Sequence, residues 1–317
     1  MKKYTANFPV DLVYLWVDGS DEQWLAKKNA FLGKTTFHKD VNCKGRFADN
    51  DELKFSLRSL EKYAPWIRKI FIVTDNQIPD WIDVENTKIQ VVNQNDILPK
   101  EAQPCYNSVI IEHFLYKIPD LAEHFLYAND DMFFNAAVEP EDFFAADGYP
   151  IVRLRPYPFA QFWYFVKKMA GKKLSTYRKT ILKSSNLIKN KFKKRYWGLP
   201  HHNIDAHCKS DYRDVVETVF ADEIQPTVVH HTRNRNDIQR VIFLYYALAV
   251  GHGHLRSINR TESCVVRMQR RNYQRYFDKY HPKLVCMEDS ERVSDANRER
   301  AKMFLETIFP EKSEFER

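Results

Sequence analysis

What the 317-residue chain lacks narrows its classes first. Its longest apolar run is VIFLYYALAV, 241–250, far short of the roughly 18 to 20 residues a spanning helix needs, so the chain is expected not to cross a membrane. The opening stretch has two lysines, but Asp11 interrupts its apolar part, and it reads as a strand, not a signal-peptide core. Glycine is scarce, eight in all, and neither GxGxxG nor the P-loop glycine-lysine pattern occurs; a metal is then the expected handler of any phosphate. The five cysteines (Cys43, Cys105, Cys208, Cys264, Cys286) are odd in number, far apart and without a CxxC pair. That favours free thiols in a reducing cytosol over disulfides or a zinc site. No nucleic-acid-binding motif is present, so no nucleic-acid partner is expected. Acid is missing from one place: between Asp147 and Asp205 there is none, while fourteen Lys and Arg fall between Arg153 and Arg195. Aromatics share that segment, in PYPFAQFWYFVKKMAGKK, a mix suited to peripheral contact with an anionic membrane surface or polymer; the plainer alternative is a solvated face.

What is present is enough apolar material, 44% of residues, for one large core or a core with an appended lobe. VDLVYLWV (10–17), KIFIVTD (69–75), KIQVVN (88–93) and HFLYA (124–128) read as buried strands. Between them, DNDELKFSLRSLEKYAPW reads as a helix capped by Asp49 or Asn50 and closed by Pro65, and SVIIEHFLYKIP as another. Such alternation predicts an α/β, Rossmann-like, mainly parallel sheet covered by helices. The expected layout is an α/β core over 1–147, a basic helical insertion over 148–204 and a helical remainder over 205–317. In the remainder, a helix is expected from an Asn236 or Asp237 cap to Gly251, and a closing helix in VSDANRERAKMFLETIF with Phe304, Leu305 and Ile308 buried.

In open α/β sheets ligands bind beyond the carboxyl ends of the strands, which is where Asp18, Asp21, Asp75, Asn129, Asp130 and Asp131 fall. Carboxylates gathered on one rim repel unless a cation joins them, and oxygen ligands of this kind suit Mg²⁺ or Mn²⁺. A lone Asp-Asp pair more often only caps a turn.

Three stretches, DLVYLWVDGSDEQW, RFADNDELKFSLRSLEKYAPWIRKIFIVTDNQIPDW and HFLYANDDMFF, closely resemble the first two conserved regions of the Stealth family, sugar-phosphate transferases that include bacterial capsule polymerases. GLPHHNID, HHTRNRNDIQRVIFLYYAL and KLVCMEDSE are similar to its later regions. The resemblance implies a GT-A-like fold, a Mg²⁺ or Mn²⁺ cofactor held by Asp130 and Asp131, and a nucleotide-sugar donor, UDP-linked by analogy. It also implies a polysaccharide or oligosaccharide acceptor of capsule or exopolysaccharide synthesis, and a place in the cytoplasm or at the inner face of the membrane. Carried over by position, the catalytic candidates are His201, His202, Arg233, Asp289, Arg46 and Asp49. The substrate-binding candidates are Asp18, Gly19, Asn50, Glu52, Asn129 and Arg235. The family's usual HxPH has Gly198 at its first position here, which leaves His201 and His202 as candidate bases. Phosphoryl transfer needs phosphates positioned, charge neutralised and a hydroxyl deprotonated; a metal on the aspartates, an arginine and a histidine match those needs. An alternative is a metal-dependent glycosyltransferase of similar fold, which would release a nucleoside diphosphate instead of a monophosphate. A third is a non-enzymatic binding protein with structural acids.

Overall fold

The computed structural model describes residues 6–33, 49–157, 159–172, 175–290 and 292–317, without the side chains of 160, 161, 165, 167, 168 and 176. Strands β1 (Val10–Leu15), β2 (Ile70–Thr74), β3 (Ile89–Asn93) and β4 (His124–Asn129) form the expected sheet. Its order is β3-β2-β1-β4-β8, with the first four strands parallel and β8 (Asp205–Cys208) antiparallel to β4. Alternation along each strand divides the core between two faces. Val13, Phe71, Phe125 and Tyr127 pack with Ile110 and the Val241–Val250 helix, whereas Leu12, Tyr14, Ile72 and Leu126 pack with Leu53, Leu57 and Leu60. Burial on both faces is why these strands are almost continuously apolar.

Two smaller sheets frame the edge where the site forms. One has the order β10-β11-β5, from β5 (Met132–Phe134), β10 (Ser263–Arg267) and β11 (Leu284–Glu288); the other is β7-β6-β9, from β6 (Ile151–Arg155), β7 (Leu199–Pro200) and β9 (His254–Ser257). The expectation of a helical remainder after residue 204 is therefore corrected, because β8 to β11 all lie there. Their short segments, such as SCVVR and LVCME, carry the β-branched and apolar residues that favour strands. The basic segment holds the helices Ala160–Met169 and Thr176–Phe192 between β6 and β7. The second of these anchors to the core through Ile181 and Ile188.

Helix starts differ from expectation where side chains have other work. The second helix spans Glu52–Tyr63 with Asp51 at its N-cap in a left-handed conformation (φ 62°), so neither Asp49 nor Asn50 caps it. Asn50 instead gives its backbone and side-chain N–H groups to the Glu52 carboxylate, at 2.6 and 2.7 Å. The later helix begins at Val241, not beside Asp237. Asp237 is buried and accepts from His230 Nδ1 (2.6 Å), Asn107 Nδ2 (2.9 Å) and the Asn234 backbone (2.8 Å). Gly251 closes that helix in the left-handed region, φ 88°, as expected. The closing helix is Asp295–Ile308; Leu305 is buried, while Phe304 and Ile308 are half-buried. The four described cysteines are free and buried, and Cys43 lies outside the described residues.

Candidate active site

The turn between β4 and β5 carries Asn129, Asp130 and Asp131 from the main sheet into the neighbouring one, where β5 pairs with β11. A cavity of about 1290 Å³ opens there. Its lining includes Glu52, Asn129, Asp130, Asp131, His201, His202, Arg233 and Asp289. Eight of the expected residues are thus brought together by five separate stretches of chain.

The acids crowd one another. Burial raises Asp130 well above the carboxylate range, followed by the charges of Glu52, Asp131 and Asp49. Glu52 is pushed up to about 8, by burial first, against the hydrogen bonds from Asn50. Asp131 is raised to about 6, again by burial first. Among the described residues, Asp131 Oδ1 is buried without a hydrogen-bond partner, while its Oδ2 accepts from Cys286 Sγ at 3.4 Å. That thiol is itself held well above its ordinary pKa by burial and then by the Asp131 charge, so it stays a donor. Asp131, His202 and Cys286 present one donor atom each within 4.8 Å of one another. The acids fit a divalent cation: one orphaned carboxylate oxygen with further carboxylates beside it.

The two histidines separate clearly. His201 is 1% exposed and both ring nitrogens are engaged, Nε2 with Asp205 Oδ1 at 2.7 Å and Nδ1 with Ser263 Oγ at 2.8 Å. The expectation that His201 is a base is corrected on that ground, since neither nitrogen is open to a substrate. His202 adopts a left-handed backbone (φ 53°) and is exposed into the cavity. Its pKa is lowered to about 4, first by desolvation in the recess and then by Arg240, His201 and Arg233. It is therefore neutral near pH 7, with a ring able to accept a proton. At Gly198, a Cβ would lie 2.7 Å from Leu154 Cβ; the histidine of the usual HxPH pattern does not fit this backbone.

The remaining candidates sit differently. Arg233 donates to Ser108 Oγ at 2.5 Å and lines the cavity. Asp289 is held by Arg298 at 2.8 Å, which makes it an anchored acid at the rim. Asn129 accepts from Tyr127 Oη at 2.8 Å. Asp18 accepts from its own turn, at Ser20, and its backbone is clamped by Gln77. Asp18, Gly19, Asp49, Asn50 and Arg235 are not among the lining residues; Asp49 still acts on the acids through its charge and is itself raised to about 6 by burial and then Asp51. Asp21 caps the Glu22–Leu32 helix, and Asp75 pairs with Lys27 at 2.9 Å. Arg46 lies outside the described residues.

Arg240 was missed. It lies over the Tyr127 ring, 4.3 Å from its centroid, with Asp205 Oδ2 at 3.5 Å and Glu112 Oε2 at 3.8 Å. Burial works against its charge, but those two acids raise its pKa. Despite burial, Asp205 is held well below the usual carboxylate range by His201 and Arg240. An arginine three residues after Asp237, at the edge of a wholly apolar helix, was the available signal.

A mainly parallel α/β sheet with an acid-rich, arginine-bearing cavity at the carboxyl edge of its strands defines the class of this molecule. The chain carries two regions of the Stealth proteins: residues 8–36 match Stealth protein CR1, conserved region 1, and residues 46–152 match CR2, conserved region 2. Exopolysaccharide phosphotransferase cps2G of Lactiplantibacillus plantarum is 47% identical over 45% of this chain and 41% of its own. Capsular polysaccharide phosphotransferase SacB of Neisseria meningitidis serogroup A is 32% identical over 98% of this chain and 57% of its own. The matches thus span about half the length of these two relatives. Capsular polysaccharide phosphotransferase WcwK of Streptococcus pneumoniae is 29% identical over 97% of this chain and 98% of its own.

Proposed function

We propose that the protein transfers a sugar-1-phosphate from a nucleotide-diphospho-sugar to a hydroxyl of a capsular or exopolysaccharide chain. The carrying observation is that crowded carboxylates of raised pKa meet arginines and an open, neutral imidazole in one cavity. The family relationship and the names of the relatives support the same reading.

In this reading a divalent cation, Mg²⁺ or Mn²⁺, is held by Asp131 Oδ1 with Asp130 or Glu52, and when bound it neutralises phosphate charge. Cys286 orients Asp131 by donating to its other oxygen. Arg233 and Arg240 supply positive potential for the diphosphate, and Asn129, held by Tyr127, faces the donor. His202 takes the acceptor proton as the hydroxyl oxygen bonds to the sugar-linked phosphorus. The P–O–P bridge breaks, and the nucleoside monophosphate leaves with the bridging oxygen. Burial is the main cause of the low His202 pKa, and entry of the anionic donor offsets only the further lowering by the arginines, which strengthens it as a base to that extent. His201 is a positioning residue, locked by Asp205 and Ser263 so that the neighbouring backbone turns His202 into the cavity. Uridine is the first nucleotide to test, by analogy with the family.

Incubation with a panel of nucleotide sugars, a divalent cation and an oligosaccharide acceptor tests the reading. Nucleoside monophosphate is expected to appear with the product. Nucleoside diphosphate would establish the glycosyltransferase alternative, and no turnover of any donor would leave the binding-protein alternative.

A further inference from the structure

The Ala160–Met169 helix leaves large apolar side chains in solvent. Phe162 is 58% exposed, Trp163 48%, Val166 36% and Met169 73%, and Phe159 just before the helix is 77% exposed. At about 100° per residue the four helical positions, Phe162, Trp163, Val166 and Met169, fall within an arc of roughly 120°, one continuous face. Among the described side chains, Tyr164, from another side of the helix, contacts the protein, lying 5.5 Å from the Trp197 ring and 5.9 Å from the Tyr157 ring. The apolar face is therefore left over after the helix has docked.

Charge identifies what covers it. No Asp or Glu occurs from residue 148 to residue 204, and Lys172 and Lys179, in the turn and helix that follow, are exposed. An apolar stripe with a tryptophan at its edge, followed along the chain by exposed lysines and without acids, matches the layered chemistry of an anionic bilayer surface. A phosphate-linked polymer would satisfy the lysines but offers no apolar phase for Phe159, Phe162 and Met169. Among the described residues no helix is long and apolar enough to cross a membrane, so the contact would be peripheral.

We infer that this face is a membrane-docking surface, in which Phe159, Phe162, Trp163, Val166 and Met169 enter the headgroup boundary of an anionic bilayer while Lys172 and Lys179 contact its headgroups. The surface is separate from the cavity residues, so the inference stands independently of the proposed reaction.

Sedimentation of the whole protein with vesicles of phosphatidylglycerol and phosphatidylcholine, against phosphatidylcholine alone, tests it. Binding to the mixed vesicles is expected, with much less to the neutral ones and weakening as salt is added. Phe162→Ser with Trp163→Ser is expected to lower vesicle binding about tenfold or more, since two large side chains lose their burial. Lys172→Gln with Lys179→Gln is expected to weaken binding to anionic vesicles at low salt and to leave the neutral ones unchanged. Unchanged secondary structure by circular dichroism checks that each variant is folded. The proposal is overturned if wild type ignores anionic vesicles, or if the Phe162/Trp163 variant binds them as wild type does. It is equally overturned if the face is covered otherwise, shown by a dimer that the Phe162/Trp163 variant dissociates or by retention on anionic polysaccharide without vesicle binding.

Discussion

Two groups of enclosed charge border the same cavity and are balanced in opposite ways. Around Arg240 the signs alternate: Asp205, Arg240 and Glu112 follow one another, and His201 is hydrogen-bonded to Asp205. Around Asp130 the sign repeats, through Glu52, Asp131 and Asp49, and the pKa values rise. The first group balances its charges within the chain by ion pairs at 3.5 and 3.8 Å, although Asp205 Oδ2 and Arg240 Nη1 make no hydrogen bond among the described residues. The second is high in free energy as it stands, and only a cation or protons relieve it. A balanced cluster thus holds shape, and an unbalanced one marks where chemistry is done.

Breaking the balanced group should have the largest effect. Arg240→Met would leave Asp205 and Glu112 enclosed without their cation, and removing one member of a buried pair costs about 3–5 kcal/mol. Chemical denaturation is expected to show a loss of that size, together with loss of turnover. Stability within about 1 kcal/mol of wild type would mean that Arg240 does not hold this region together. Next comes the imidazole that the group positions. His202→Ala is expected to lower kcat by about 10² to 10³ with donor binding retained. His201→Ala should act through stability and the orientation of His202, so its lost activity should recover in part in His201→Gln, which can still donate to Asp205. Wild-type kcat in His202→Ala would exclude it as the base.

The unbalanced group is tested by removing a ligand. Asp131→Asn is expected to cost about 10² in rate, as for loss of a group that positions a charge-neutralising cation, and EDTA should abolish turnover of the wild type. Cys286→Ser, which keeps a donor to Asp131 Oδ2, should cost far less. Full activity in EDTA would dissociate these acids from any metal.

The parts legible in the sequence were those in which one residue type signals one environment. The runs around Val13, Ile72 and Leu126 are apolar because both faces of their strands are covered, so the parallel sheet could be read directly. The NDD turn was legible because polar residues directly after a buried strand fall on the carboxyl rim. Helix starts were not: Asp49, Asn50 and Asp237 have good capping chemistry, yet Asn50 serves Glu52 and Asp237 accepts from the distant Asn107 as well as from His230 and Asn234, and no capping pattern shows those partners. Nor was the split between His201 and His202. Adjacent residues differ here because Ser263, 62 positions away, engages one ring while a left-handed backbone turns the other outward. Arg240 was hidden for the same reason, since its acids come from residues 112 and 205.

The smallest expected effect has the opposite sign. A carboxyl whose folded pKa lies above its unfolded value binds protons more strongly in the native state, so its contribution to stability is present below the unfolded pKa and lost as pH rises through the folded one. For Glu52 that window runs from about 4, the unfolded value, to about 8; Asp130 shifts in the same direction, and Asp131 reaches about 6. The metal-free protein should therefore lose stability from this cluster between about pH 5 and 8. Asp130→Asn removes one of the repelling charges, and Asn keeps nearly the same volume. In EDTA at pH 8 it is expected to be more stable than wild type, by about 1 kcal/mol or one pKa unit's worth, and the gain should shrink towards pH 5. Adding Mn²⁺ at pH 8 should raise the Tm of wild type and raise that of the variant less, because the cation relieves the repulsion that the substitution has already removed. Thermal unfolding of both proteins at pH 5.5 and 8, with and without the metal, measures all of this. A variant less stable than wild type at pH 8 in EDTA would show that the acids are not strained against one another, and with that the contrast between the two clusters would fail.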